Sequence, residues 1–270
     1  MLQNLHTHIN MCDGKNTAEE MLLSAIGCGF DSLGFSSHSR TLRGLFWELD
    51  SEEEYKREIT ALKSRYGDRI KIYLGLEADY MSAGLFNPRD YDYIIGSVHT
   101  RLVGEQAVAF DNSASETAKH IREVFNSEPL RYTGAYYELV ADMPRRLDFD
   151  IVGHFDVVSK FSERAPDLID FEDKRYINQS LEALHAVREK KEFFEVNTGA
   201  IARGYKSVPY PAPHLLKEMK TLNCKLVLTS DSHSTDSLSF AFSETKEYLR
   251  SLGFDTLYYL GDSGFFGEKI

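Results

Sequence analysis

Six histidines, two aspartates and one glutamate recur in this chain directly after short apolar runs. Leu5 is followed by His6-Thr7-His8, Phe35 by Ser36-Ser37-His38, Leu76 by Glu77, Val98 by His99, Val152 by Gly153-His154, and Leu228 by Thr229-Ser230-Asp231-Ser232-His233. Asp13 lies five residues beyond His8, in a Cys-Asp-Gly turn that can swing back towards it. Nitrogen and oxygen donors of this kind bind transition metals, and so many of them point to a polynuclear centre. Side chains at i and i+2 of an extended segment share a face, so His6 and His8 can grip one cation together, and Asp231 and His233 repeat the spacing. Glu77, at the end of Ile72-Tyr73-Leu74-Gly75-Leu76, would be a costly buried anion unless cations neutralise it; bridging two metals would do so. A single histidine after a strand is usually a hydrogen-bonded loop residue. Nine donors in this pattern are not explained by packing, which prefers apolar residues there. His120, His185 and His214 fall in helical patterns and are read as ordinary surface residues.

Donors scattered over some 230 positions can meet only if the elements before them end on one face. Seven apolar runs have the length and composition of strands buried on both sides: residues 2–5, 32–35, 70–76, 93–98, 150–152, 192–196 and 225–228. Helical patterns lie between them at 17–27, 51–66, 115–125, 133–146, 173–190, 213–222 and 237–252. The first opens with a Thr17-Ala18-Glu19-Glu20 capping box, and Ser51 and Glu54 stand in the same relation. Strand and helix alternating about seven times, with no Pro/Gly/Ser-rich linker, predicts one domain over 1–270 built on a parallel sheet closed or nearly closed into a barrel. All strand C-termini then lie on the face where such barrels keep their active sites. Residues 100–115 break the pattern and read as a long loop or hairpin over the barrel mouth.

Composition narrows the function classes. With 31 Lys+Arg against 42 Asp+Glu the net charge is −11, which repels polyanions and argues against nucleic acid as the main partner. No apolar stretch is long enough to span a membrane and the first ten residues lack a signal-peptide pattern, so a soluble cytoplasmic protein is expected. Cys12, Cys28 and Cys224 are odd in number and without CxxC spacing, which suits reduced, packing cysteines. The partner expected is a small molecule; monomer and homodimer both fit.

In their order and spacing these residues resemble the PHP (polymerase and histidinol phosphatase) superfamily of trinuclear metal hydrolases, and within it the histidinol-phosphate phosphatases. The resemblance runs from His6-Thr7-His8 through Glu77, Ser97-Val98-His99 and Gly153-His154-Phe155-Asp156 to Asp231-Ser232-His233. It implies an α/β fold, a distorted (β/α)7 TIM-like barrel. It also implies one metal held by His6, His8, Glu77 and Asp231, a second by Glu77, His99 and His154, and a third by Asp13, His38 and His233. The cofactors would be two to three divalent transition metals; mixed N and O ligands suit zinc, manganese or iron. Residues 197–204 resemble the segment that supplies a phosphate-binding arginine, here Arg203, while Lys160 and Arg164 follow the His154 strand where the phosphatases carry basic residues.

The reaction implied is hydrolysis of L-histidinol phosphate to L-histidinol and phosphate, a step of histidine biosynthesis, by a hydroxide bridging two metals near Glu77. Arg203 would contact the phosphoryl oxygens bidentately. Asp231 and His233 are the candidate catalytic residues, with Asp231 the expected proton shuttle. Asp111, Phe110, Trp47 and Phe46 lie in loops that could reach the cationic end of the substrate. A covalent serine mechanism lacks its Gly-x-Ser-x-Gly elbow. Alternatives are a PHP-type phosphoesterase for another small phosphate or nucleotide, and a non-catalytic, metal-stabilised module. An amidohydrolase barrel also opens with His-x-His but usually bridges its metals with a strand-four lysine, where this chain has His99.

Overall fold

The computed structural model describes residues 1–45 and 47–270, so Phe46 lies outside the described residues. In chain order the main elements are β1 (Gln3–Asn4), α1 (Ala18–Gly27), β2 (Ser32–Phe35), α2 (Glu52–Tyr66), β3 (Lys71–Asp79) and β4 (Tyr93–Ser97). There follow a hairpin of β5 (Thr100–Val103) and β6 (Gln106–Ala109), then α3 (Ala114–Glu123), α4 (Pro129–Arg146), β7 (Ile151–Val152), α5 (Lys174–Arg188), β8 (Phe193–Asn197) and the single turn α6 (Gly199–Ala202). The chain closes with α7 (Pro213–Thr221), β9 (Lys225–Thr229), α8 (Phe242–Ser251), β10 (Thr256–Gly261) and β11 (Gly264–Lys269).

All seven expected strands are present, side by side in the order β1-β2-β3-β4-β7-β8-β9 and parallel at every pairing. The ends of this sheet meet just above β1 and β9, where Thr7 bridges Ser232: the His8 N–H donates to the Ser232 carbonyl (2.8 Å) and the Ser232 N–H to the His6 carbonyl (3.0 Å). This is the nearly closed seven-stranded barrel expected. No described helix is long and apolar enough to cross a membrane.

The helices start where their capping residues dictate. Thr17 and Glu20 form the full reciprocal box on α1, whereas on α2 only the Ser51 half forms, accepting from the Glu54 N–H. α4 begins four residues before the expected start, with Pro129 at its first turn. α8 begins at Phe242, later than expected, because the 3-10 turn at Thr235–Ser237 runs on as a turn to Ala241, whose left-handed backbone (φ 58°) starts the helix. β3 is longer than the apolar run that announced it and carries Glu77 and Asp79 within the strand. Beyond Leu252, where no element was expected, β10 and β11 form an antiparallel hairpin. The Leu260 carbonyl accepts from Tyr73 Oη (2.9 Å) and Gln3 Nε2 (3.0 Å), so this hairpin caps the end of the barrel opposite the histidines.

Tyr93 fills the barrel between β2 and β3. Its ring is buried, its hydroxyl donates to the Leu5 carbonyl, and it packs with Leu5, Tyr73, Ile95, Ile151, Val227 and Leu260. The space exists because β2 and β3 carry glycine there: a Cβ on Gly75 would stand 2.2 Å from the ring, and one on Gly34 2.3 Å from the hydroxyl. Ile95 and the strand ends above rest on this layer, so its volume sets their height. We expect Gly75→Ala to destabilise the fold by about 1–3 kcal/mol through overpacking, read from urea denaturation; an unchanged midpoint would show that the layer is soft.

Candidate metal centre

Glu77 is fully buried, and both its oxygens face imidazole nitrogens. Oε1 lies 2.8 Å from His154 Nε2 and 3.3 Å from His99 Nε2, and those two nitrogens are 3.3 Å apart. Oε2 lies 3.3 Å from His6 Nε2 and 3.5 Å from His8 Nε2; Asp231 Oδ1 closes that set at 3.6 Å from His6 and 3.2 Å from His8. Donors on a tetrahedral zinc at about 2.0–2.1 Å stand about 3.3–3.4 Å apart. Separations of 2.8–3.6 Å in the two sets bracket that spacing. A third group, His8, Asp13, His38 and His233, lies at the rim, with Asp13 Oδ2 3.2 Å from His233 Nε2 and Asp13 Oδ1 3.6 Å from His38 Nε2. His38 also turns Nδ1 towards Glu77 Oε2 at 2.8 Å, which places it between the rim and the floor.

Strand ends make this convergence. The parallel pairing of β2 and β3 continues through a His38–Glu77 bridge, β4 delivers His99 and β7 delivers His154. Asp13 returns to His8 through a turn in which Gly14 packs on the His8 backbone so closely that a Cβ would stand 2.6 Å from it. Asp231 arrives differently from the extended i, i+2 geometry expected. β9 has ended at Thr229 and Asp231 is in the left-handed region (φ 46°), a conformation that aspartate tolerates and that turns its carboxylate into the mouth.

The donor chemistry fits bound cations. His6 Nε2, His8 Nε2, His38 Nδ1 and Glu77 Oε2 are buried with no aligned hydrogen-bond partner, although they crowd one another. Burial alone would lower the pKa of His6 and of His38, but Glu195, Glu77 and Asp231 around the first, and Glu77 and Asp13 around the second, hold both well above the ordinary value. His99 is pushed up to about 10 against its burial by Glu77 and by a hydrogen bond to Asp79. His8 goes the other way, to about 3, because it is buried and faces His233 and His38. Burial opposes ionisation of Glu77, but His6, His38 and His99 outweigh it and keep the carboxylate charged. Without metal, protons on several imidazoles neutralise the carboxylates, so a divalent cation must displace them.

A cavity of about 420 Å³ opens above this floor. Arg203 and Lys160 are among the residues that line it. Arg203 Nη1 donates to the Asp231 carbonyl (3.0 Å) and Nη2 to Asp231 Oδ2 (2.9 Å), while Lys160 Nζ donates to the Asp111 carbonyl (2.6 Å). Arg164, expected beside them, is absent from the lining; its Nε holds the Gly204 carbonyl (2.7 Å) and so supports the Arg203 loop. Of the loop residues expected near the substrate, Asp111 and Trp47 line the cavity, with the indole 4.8 Å from the His38 ring. Phe110 instead is fully buried between Tyr132 and Tyr136, where its apolar ring belongs. His185 pairs with Glu218 (2.9 Å) and His214 with Ser180 (2.9 Å), but His120 is not the surface residue expected: it is 7% exposed and, with Glu116 one turn earlier on α3, lines the cavity. Asp79 was also missed. It orients His99 through the backbone N–H (2.9 Å) and Nδ1 (3.2 Å), two residues along β3 from Glu77. The inward Glu195 on β8 was the third omission, and the argument that singled out Glu77 applies to it equally.

Proton displacement fixes the sign of the pH response. Groups held above their ordinary pKa keep their protons at neutral pH, so apparent zinc affinity should rise with pH through the neutral range and towards 10, where His99 deprotonates. Calorimetry in buffers of different ionisation enthalpy should show net proton release; pH-independent binding with no release would remove these histidines from the ligand set.

The chain matches the PHP domain family over residues 4–199. It is 29% identical over 262 residues to a protein of Deinococcus radiodurans named as a probable histidinol-phosphatase, with 92% of each chain covered. It is 25% identical over 275 residues to the histidinol-phosphatase of Lactococcus lactis subsp. lactis, covering 99% of this chain and 94% of that one. Its fold superposes on a crystal structure of histidinol phosphate phosphatase from the same Lactococcus, in complex with zinc, L-histidinol and phosphate, with a TM-score of 0.74, 21% identity and 98% of both chains covered. The family match spans six of the seven barrel strands and all but two of the nine expected donors, and on that ground the chain belongs to the PHP domain family.

Proposed function

We propose that this protein is a metal-dependent phosphomonoesterase that hydrolyses L-histidinol phosphate to L-histidinol and phosphate. The observation that carries this reading is the division of the two Glu77 oxygens between two donor sets at the floor of a cavity walled by Arg203 and Lys160. The names of the relatives, and the ligands in the Lactococcus structure, support the choice of substrate. His6, His8, Glu77 and Asp231 would hold one metal, Glu77, His99 and His154 a second, and Asp13, His38 and His233 a third, with His8 adjoining the rim group. Zinc, manganese and iron suit these donors. When bound, such metals lower the pKa of coordinated water towards neutrality and offset negative charge on phosphoryl oxygens.

The chain's own residues do the rest. Arg203 spends one edge of its guanidinium on Asp231 and keeps further N–H groups, on a side chain one-third exposed, for the phosphoryl oxygens. Lys160 adds a second positive charge to the cavity lining. Burial opposes ionisation of Asp231, but Arg203 and His6 hold its carboxyl well below the usual range. A phosphoryl group that takes over the Arg203 donors frees Oδ2 to hold the proton of the attacking water, and His233, with Nδ1 2.9 Å from the Asp231 carbonyl, stands beside it. Trp47 covers His38 and His99 and keeps bulk water from that side of the floor.

The test is phosphate release from L-histidinol phosphate beside a panel of phosphomonoesters, nucleotides and diesters, on protein of measured metal content. A kcat/KM for histidinol phosphate far above the panel is expected; equal or better turnover of another phosphate would move the substrate elsewhere within the family. Arg203→Ala should raise KM about 10- to 100-fold, the size of a lost charged hydrogen bond, and a normal KM would confine Arg203 to holding Asp231. Asp231→Asn should stay folded and lose about 10²- to 10⁴-fold in kcat; an unchanged kcat would remove Asp231 from the mechanism.

A further inference from the structure

Glu195 is a second fully buried carboxylate under the floor, and it belongs to none of the donor groups that could hold a metal. Four donors occupy its two oxygens. Oε1 lies 2.6 Å from His6 Nδ1 and accepts from Thr229 Oγ1 (2.5 Å); Oε2 accepts from the His154 backbone N–H (2.6 Å) and from Asn197 Nδ2 (3.0 Å). The Asn197 amide is itself oriented, since its Oδ1 accepts from the Gly199 N–H (2.8 Å). β8 and β9 supply this setting: Glu195 and Asn197 share the inward face of β8, and Thr229 stands opposite Asn197 in register. A carboxylate with both oxygens so engaged is ionised and has no lone pair left for a metal.

Two consequences follow from acceptor-only chemistry. Once a metal has displaced the Nε2 proton, His6 must keep its remaining proton on Nδ1, which leaves the Nε2 lone pair pointing at Glu77 Oε2 and Asp231 Oδ1. The other oxygen pins the main chain where β7 ends, and this fixes the height from which the His154 ring reaches Glu77 Oε1 and His99 Nε2. His6 faces one oxygen of Glu77 and His154 the other. We propose that Glu195 is the positioning residue that couples the two sites sharing Glu77, by setting the tautomer of a ligand in one and the backbone of a ligand in the other. This rests on the reading of those sets as metal sites.

Glu195→Gln tests it at constant shape. An amide keeps one acceptor oxygen where two are required, so either orientation breaks one contact outright, at His6 Nδ1 or at the His154 N–H, and weakens the other by removing the carboxylate charge that strengthens it. Zinc titration against a competing chelator, with metal counted by elemental analysis, should show two equivalents weakened together by about 10- to 100-fold, the range for partners of metal-binding histidines. Weakening of only one equivalent would overturn the coupling, and unaltered binding would overturn the positioning role. In case the amide variant does not fold, long-range ¹⁵N–¹H spectra of the unmutated zinc-loaded protein give a direct reading: His6 is expected as the Nδ1–H tautomer, and Nε2–H would refute the assignment. Failure of the unmutated protein to take up zinc would reject the metal reading itself, a result distinct from these.

Discussion

A carboxylate with no exposed surface in the middle of a barrel is the constraint to which the rest of this structure answers. Removing Glu77 from water costs several kcal/mol if nothing replaces the solvent. What replaces it is a ring of imidazoles from His6, His8, His38, His99 and His154, each within 3.5 Å of one of its oxygens. These come from four other strand ends, so the anion is tolerable only when the barrel has formed and its ends stand at one height. The bridge between Thr7 and Ser232 follows from the same need, because it brings Asp231 against the His6–His8 pair.

The imidazoles would collapse on one another, or turn away, without further restraint. Their outer edges are therefore tied: His6 to Glu195, and His99 to Asp79. Below them Tyr93 and its neighbours form a layer that cannot compress. Lone pairs that face lone pairs, as at His99 Nε2 and His154 Nε2, mark where a positive charge belongs. In the absence of metal the protons on His6, His38 and His99 supply that charge. The same geometry thus serves two states, and the balance between them is set by pH and metal concentration.

The barrel and the donors themselves were legible in the sequence because both depend on one pattern, apolar runs of strand length ending in polar donors, whereas the division of the donors into sets came from the family resemblance. Parallel β–α alternation forces those ends together whatever the loops do, so His6, His8, Glu77, His99 and His154 could be placed without knowing any contact. Residues whose position depends on a turn or on packing were less legible. Asp231 matched a strand-like spacing yet arrives through a left-handed turn, and Arg164 has the charge but points at Gly204. His120 shares its helical pattern with His185 and His214, and its burial depends on the packing of α3 against α4 and β6. The terminal hairpin had a readable signal, two aromatic-rich runs either side of Asp262-Ser263, but its role at the bottom of the barrel follows from Leu260 meeting Gln3 and Tyr73, contacts made across the whole length of the chain.

The mouth resolves an apparent conflict between a chain of net charge −11 and the anionic substrate proposed for it. At physiological ionic strength charges are screened over about 8 Å, so the residues within one such length of the floor matter more than the total. There Arg203 and Lys160 stand in the cavity lining, each already associated with a carboxylate, Asp231 and Asp111. A phosphoryl group competes with those carboxylates for the cations and gains only where metals below take part of its charge. Asp111, beside Lys160, and Glu116 face the same cavity. A phosphate with no positive group would meet their repulsion, whereas one attached to an ammonium and an imidazole places its positive end against them. Discrimination then lies in the pairing of opposite charges at the two ends of one small molecule, which bare inorganic phosphate cannot reproduce.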